Sequence, residues 1–483
     1  MNAIEGLKPE RLWHYFEEIS KIPRESKHEG MIREYIVRTA GRLGLRNVVD
    51  AAGNVVVYKP GTGSGGTVIL QSHLDMVCEQ NEGVSHDFRK DPIRLVRDDG
   101  WIHAEGTTLG ADNGIGVAAM LAVMEDGTLV HPDLEFLFTI DEETGLTGAN
   151  MLDAGLFTGR TLINLDSEED GTLFIGCAGG KNTDISLDVS FEDAPAGLVP
   201  AAVKVTGLLG GHSGTDIHRG RGNAVKLLVR LLKGAAQILP YRLVDLSGGS
   251  KHNVIPREAF ALILLKPEDF GRLEELARGM SGTFAAELSG IDDNVRVIVG
   301  QETLSERQAV SDSDAALILD LLHGLPHGVM QMNEARGNFV VTSTNLAICR
   351  MEGSRLYVLT NQRSAYRSSI EDVSEMAASI GRLAGAHVTK AHDYPAWRPD
   401  FQSRVLRISK EVYEGLFGRQ PEVRVIHAGL ECAVFGEKIP GLDMISLGPT
   451  IEQAHSPSER VLIGAVENMW VFLAGLLKRL ARE

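Results

Sequence analysis

TVILQSHLD, residues 67–75, starts as a short apolar run and ends on His73 and Asp75. A run of this length suits a strand buried on both faces of a sheet. LEFLFTI (134–140) runs in the same way into Asp141, Glu142 and Glu143, and TLINL (161–165) runs into Asp166. A solvated charged face is not expected directly after buried strands. In open α/β sheets, ligands bind outside the carboxyl ends of the strands. Three separate strands that each deliver a metal-competent side chain there set the expectation for both the fold and the site.

Outward from these strands the chain alternates helix and strand. PERLWHYFEEISKI (9–22), HEGMIREYIVRTAGRLG (28–44) and GIGVAAMLAVMED (114–126) read as helices, the first two from their apolar spacing. RNVVDAAGNVVVYKP reads as a hairpin turning at Gly53-Asn54. The alternation predicts an α/β fold with a largely parallel sheet. From residue 184 the texture changes to strands of alternating polarity, such as TDISLDVSFED, and amphipathic helices at 222–239 and 268–290. After YPAW (394–397) the α/β texture returns. The reading is therefore a catalytic α/β domain in two parts, 1–183 and 393–483, with an α+β lid domain, 184–392, inserted between them. The last helix is expected to open on a capping box, with Ser456 as cap, Pro457 at the first position and Glu459 closing the box.

Composition narrows the function classes. The net charge of −17 argues against nucleic acid or an anionic membrane surface as a partner, because binding either needs a basic face. No apolar run approaches the ~18–20 residues that span a bilayer. The four cysteines are scattered, without a CxxC pair, and the first residues lack the apolar core of a signal peptide. These features point to a reducing, cytoplasmic compartment.

Two further elements join the strand ends: Asp112 in the loop LGADNG, just before a helix, and His455 in GPTIEQAHSPSER. Alone, a His-x-Asp is usually a surface accident and an acidic triplet a solvated run. Together they supply imidazole and carboxylate without thiolate, which suits zinc, cobalt or manganese. Two His and three carboxylates are too many for one tetrahedral zinc. They fit two ions ~3.5–4 Å apart that share a carboxylate and a water. A carboxylate outside the ligand set could then take the water's proton. Glu142 and Glu143 can both face such a site only if the strand has ended before them, and the following TGLTG favours that ending. The alternative is that one of them caps the next helix.

SHLDMV, LGADNGIG, DEETGLTGA, NLDSEE and HSPSERV resemble the signature of the dizinc exopeptidase family that contains carboxypeptidase G, succinyl-diaminopimelate desuccinylase and the cytosolic dipeptidases. GCAGGK, GLLGGHSGTDIHRGRGN, HNVIPRE and HAGLEC carry a narrower likeness to its dipeptidases that act on Xaa-His substrates. The resemblance covers nearly the whole chain. It implies that Asp112 bridges two metal ions, zinc first among the candidates. It implies that His73 and Asp166 complete one ion's ligands, and Glu143 and His455 the other's. Glu142 becomes the general base, and Asp75 orients His73. The resemblance further implies a cis peptide between Asp112 and Asn113.

In the inserted domain the resemblance gives His212 the task of polarising the scissile carbonyl. It gives Asn253 and Arg367 the substrate's C-terminal carboxylate, with Arg363 as the competitor for the guanidinium. Gly429, on the α/β part, would meet the substrate's other end. It leaves open whether His212 acts within its own chain or across a homodimer formed through the lid domain. The expected partner is a small peptide. A tripeptidase or N-acyl amino acid deacylase on the same scaffold is the first alternative, and a non-catalytic metal- or peptide-binding protein the second.

Overall fold

The structure is a computed structural model that describes residues 3–304, 307–335 and 337–483. The chain divides into two compact units. One comprises Met1–Gly176, Trp397–Val425 and Leu430–Glu483, and the other comprises Cys177–Ala396 with Ile426–Gly429.

The first unit is built on an eight-stranded sheet. Its four middle strands, Leu134–Thr139, Val68–His73, Thr161–Asn164 and Asp443–Ser446, run parallel in that order. All residues of Val68–His73 and Leu134–Thr139 are buried, as strands covered on both faces must be. The hairpin Arg46–Val49 and Val55–Lys59 adds two antiparallel strands at one side. Its turn is closed by the Asp50 carboxylate, which accepts from the backbone N–H groups of Ala52, Gly53 and Asn54. The helix Ala111–Glu125 is apolar nearly all round and almost wholly buried. That composition marks an interior helix rather than an amphipathic one.

A four-stranded antiparallel sheet places the loop that carries His455. Ile451–Glu452 pairs with Arg460–Leu462, which pairs with Trp101–Ala104. His455 lies in the hairpin loop between the first two, with its backbone in the left-handed region at φ 63°. The final helix is Ile463–Leu480, with Leu462 at its N-cap. The capping box expected at Ser456–Glu459 is therefore overturned. Strand pairing of Arg460–Leu462 takes the residues after Glu459, and the Glu459 carboxylate is used elsewhere.

The second unit carries a nine-stranded antiparallel sheet. Ala201, Val203 and Val205 alternate inward along one strand while Lys204 points outward to Glu258. The inward side chains form one hydrophobic cluster with the helices Ala224–Ala235, Phe270–Glu287 and Asp312–Gly324. Toward one end, the strands Gly179–Asp188, Phe339–Met351 and Arg355–Ser364 change from apolar to polar while staying buried. Asn182, Thr342, Ser343, Thr344, Asn345, Asn361, Gln362 and Arg363 are all buried there.

Candidate active site

Three strands of the first unit lead into candidate ligands where the sheet ends. Val68–His73 ends on the buried His73. Leu134–Thr139 ends before Asp141, whose backbone turns left-handed at φ 50° and starts the short helix Glu142–Gly145. Glu142 and Glu143 thus leave strand alternation behind. Their N–H groups donate to the two carboxylate oxygens of Asp75, at 3.0 and 3.2 Å. Asp75 rather than either Glu serves that helix end. The Asp112–Asn113 peptide is cis.

Two groups of ligand atoms result. Nε2 of His73 lies 3.1 Å from Oδ1 of Asp112 and 3.3 Å from Oδ1 of Asp166. Nε2 of His455 lies 3.0 Å from Oδ2 of Asp112 and 3.1 Å from Oε2 of Glu143. Donors ~2.0–2.1 Å from a tetrahedral ion stand ~3.3 Å apart. Both triads therefore have the spacing of a coordination shell, and Asp112 contributes one oxygen to each. Oε1 of Glu143 is buried without a hydrogen-bond partner, an orphaned acceptor of the kind a cation satisfies. The donor set fits two divalent cations.

Asp75 organises the ring that faces these carboxylates. Nδ1 of His73 is 3.2 Å from the Asp75 carbonyl and 3.4 Å from its Oδ1. A proton on Nδ1 leaves the Nε2 lone pair directed at Asp112 and Asp166. Glu142 offers an oxygen within 4.8 Å of ligand atoms of His73 and Glu143. Burial, together with the carboxylates of Asp166 and Glu143, raises its pKa well above the ordinary carboxylate range. A carboxyl so placed holds a proton readily and can give it up again.

The second unit gathers its own polar group. His212 pairs with Val254 across a short two-stranded ribbon, and the Ser213 N–H donates to the Asn253 carbonyl at 2.8 Å. Nδ1 of His212 accepts from the N–H of Thr215 at 3.1 Å and of Gly214 at 3.3 Å. The neutral ring therefore carries its proton on Nε2. Arg363 is buried and donates to three uncharged groups: the Tyr394 hydroxyl at 2.7 Å, Oδ1 of Asn361 at 3.2 Å and Oγ of Ser213 at 3.4 Å. Gly429, expected on the α/β part, instead groups with this unit, where a Cβ on it would meet the Tyr394 ring at 3.1 Å. Arg367 is not brought to this group. It is half exposed at the start of the helix Arg367–Leu383 and is committed to Asp393 at 2.6 Å and Glu371 at 3.3 Å.

Sequence reasoning missed three buried side chains. Glu431 accepts from Gln71 and Thr139, and burial raises its carboxyl to about 8. It stands in HAGLEC, a stretch singled out only for its likeness to the dipeptidases and for Gly429. Arg24 and Glu459 hold backbone around Asp112. Nothing local marks Arg24 in KIPRES, and the Glu459 signal was read as a helix cap.

Comparison with known proteins places these features in a family. The model of "Peptidase family M20/M25/M40" matches residues 69–479. The chain is 40% identical to the cytosol non-specific dipeptidase of Escherichia coli (strain K12), over 99% of either chain. Among solved structures, the aminoacylhistidine dipeptidase from Vibrio alginolyticus is 42% identical, with a TM-score of 0.88 over 98% of this chain and 97% of that one. A tripeptidase from Staphylococcus aureus shares the fold at 17% identity, with a TM-score of 0.59 over 99% of this chain and 100% of that one.

Proposed function

The chain belongs to peptidase family M20/M25/M40, and on that premise we propose that it is a two-metal dipeptidase that cleaves Xaa-His and related dipeptides. The observation that carries this reading is the pair of ligand triads that share Asp112, with Glu142 beside them. His73, Asp112 and Asp166 would hold one ion, and Asp112, Glu143 and His455 the other, with zinc the first candidate. When bound, two such cations supply the Lewis acidity that makes hydrolysis of an amide by water feasible near neutral pH.

The remaining work falls to side chains. Glu142 takes the proton of the attacking water and later hands it to the leaving amine. Nε2–H of His212 donates to the scissile carbonyl oxygen, where negative charge develops. Arg363 replaces Arg367 in the role first given to the latter. A buried guanidinium cannot shed its charge, and its partners here are uncharged, so a substrate carboxylate would complete it. Asn253, whose carbonyl accepts from the Ser213 N–H, would join it at the carboxylate, and Gly429 would offer backbone at the substrate's other end. The names of the two full-length relatives differ in breadth, one non-specific and one directed to histidine. We take histidine as the preferred C-terminal residue and the compartment as the cytosol.

The test is a panel of Xaa-His dipeptides, other dipeptides, tripeptides and N-acyl amino acids. It is run on the metal-stripped chain reloaded with Zn2+, Co2+ or Mn2+. Dipeptide cleavage that needs metal, fastest with C-terminal histidine, is the expected result. A chain that holds two ions and cleaves only tripeptides or N-acyl amino acids would defeat the dipeptidase reading.

A further inference from the structure

Two buried side chains of opposite charge hydrogen-bond to backbone at and around the Asp112 segment. Arg24 and Glu459 are each 2% exposed. One Glu459 oxygen accepts from the N–H groups of Leu109 and Gly110, both at 2.8 Å. The other accepts from Ala111 at 2.7 Å and Asp112 at 3.2 Å. Four consecutive backbone donors thus converge on one carboxylate. Arg24 works on carbonyls instead. One nitrogen donates to Leu74 at 3.2 Å and Asp75 at 3.1 Å, and the other donates to Gly110. The Gly110 residue is held from both sides, its N–H by Glu459 and its C=O by Arg24. A Cβ at Gly110 would lie 2.4 Å from the Arg24 guanidinium, so the approach is as close as glycine permits.

Burying two charges is costly, and such a pair is weak evidence for stability alone. What this pair does specifically is join loops. Glu459 lies four residues after His455 and grips the segment ending at Asp112, which ties together two ligands of one triad. Arg24 ties the backbone just after His73 to the same segment, joining two ligands of the other triad. We propose that Arg24 and Glu459 are positioning residues that pre-set the two metal sites separately, Glu459 for the His455 site and Arg24 for the His73 site. The proposal rests on the ligand assignment given under Proposed function.

Metal binding by the full chain, stripped of metal and titrated with Zn2+ alone, tests it. Wild type is expected to take up two equivalents. Glu459→Gln puts an amide NH2 against two of the four backbone donors. It should weaken one equivalent by about 10–100-fold and leave the other near its wild-type affinity. That equivalent should be the one His455→Ala removes, so adding Glu459→Gln to His455→Ala changes the remaining affinity little. Arg24→Lys should weaken the other equivalent, the one His73→Ala removes. Excess Zn2+ should restore kcat in both positioning variants. Glu459→Asp, which keeps the charge with a shorter reach, gives the same contrast should Glu459→Gln fail to fold.

Glu135→Gln serves as the control for stability alone. Glu135 is also buried, and it accepts from the N–H groups of Thr158 and Gly159 at 2.9 and 3.1 Å. It should lower thermal stability without changing the ratio of the two zinc affinities. Equal weakening of both equivalents by Glu459→Gln, or behaviour like that of Glu135→Gln, overturns the proposal. Fewer than two equivalents in wild type would instead bring down the ligand assignment, and the proposal with it.

Discussion

Replacing Glu142 by Gln keeps the side chain's size and removes its ability to carry a proton. Turnover should fall by ~100–10,000-fold, with metal content by elemental analysis unchanged. His212→Ala should show the same split, a loss of ~100-fold or more in kcat with metal retained. Loss of bound metal in that variant would mean His212 is a ligand instead. For the guanidinium, Arg363→Lys should lower kcat/KM for dipeptides by at least ~10-fold, because one ammonium cannot replace a buried fork. Arg367→Lys should stay close to wild type, since exposed pairs contribute little. Equal effects at the two positions would return the role to Arg367. The candidate ligands His73, Glu143 and Asp166 stood out in sequence because each follows an apolar strand, whereas Asp112 and His455 lie in loops without such a context. Arg363 and Arg367 were not separable that way. They stand four residues apart at a strand-to-helix junction, and only the fold decides which one is buried.

Among elements, the hairpin that carries His455 shows how a local pattern can serve two ends. A Ser followed three residues later by Glu reads as a helix cap. The same carboxylate also suits any cluster of backbone donors. Here the donors at Leu109–Asp112 claim it, while strand pairing of Arg460–Leu462 delays the helix to Ile463. The strand Asp443–Ser446 raises a second point at this scale. A Cβ at Gly448 would lie 1.6 Å from the Ser167 carbonyl oxygen, which is backbone and cannot rotate away. Gly448→Ala should therefore push the segment that follows Asp166. We expect destabilisation of ~1–3 kcal/mol or more in urea unfolding, together with weaker zinc binding. An unchanged midpoint would show that the segment yields freely. The strands and long helices of the first unit were legible from period and composition. The short helix at Glu142 was foreseen only as an end of strand.

For the whole molecule, metal loading and folding are linked through protons. Burial opposes charge on His455, yet the hydrogen bonds it donates to Asp112 and Glu143 outweigh that and raise its pKa to about 11. His73 is likewise raised well above 6.5, its own burial outweighed chiefly by Asp166. In the metal-free chain the raised pKa of His455 favours its protonated form at neutral pH. Zinc uptake should therefore release protons, seen as a buffer-dependent binding heat, and affinity should rise with pH above 6.5. The sign for stability of the metal-free chain is the reverse. The His455 contribution is complete below pH 6.5 and is lost as pH rises through about 11. Chelation at neutral pH should abolish activity and lower Tm, and added Zn2+ should restore both. A Tm indifferent to chelator would indicate that the ligand cluster is already set without ions.

The order of side chains along the chain determined the α/β class, the parallel strands and which loops carry the candidate ligands, because hydrophobic period and strand ends are local properties. Which buried charges pair with which backbone was decided by tertiary structure alone. Arg24 and Glu459 are separated by nearly the whole chain, and their partners are peptide groups that every residue carries and no side-chain pattern reveals. Only folding brings four N–H groups and three carbonyls close enough to select those two side chains.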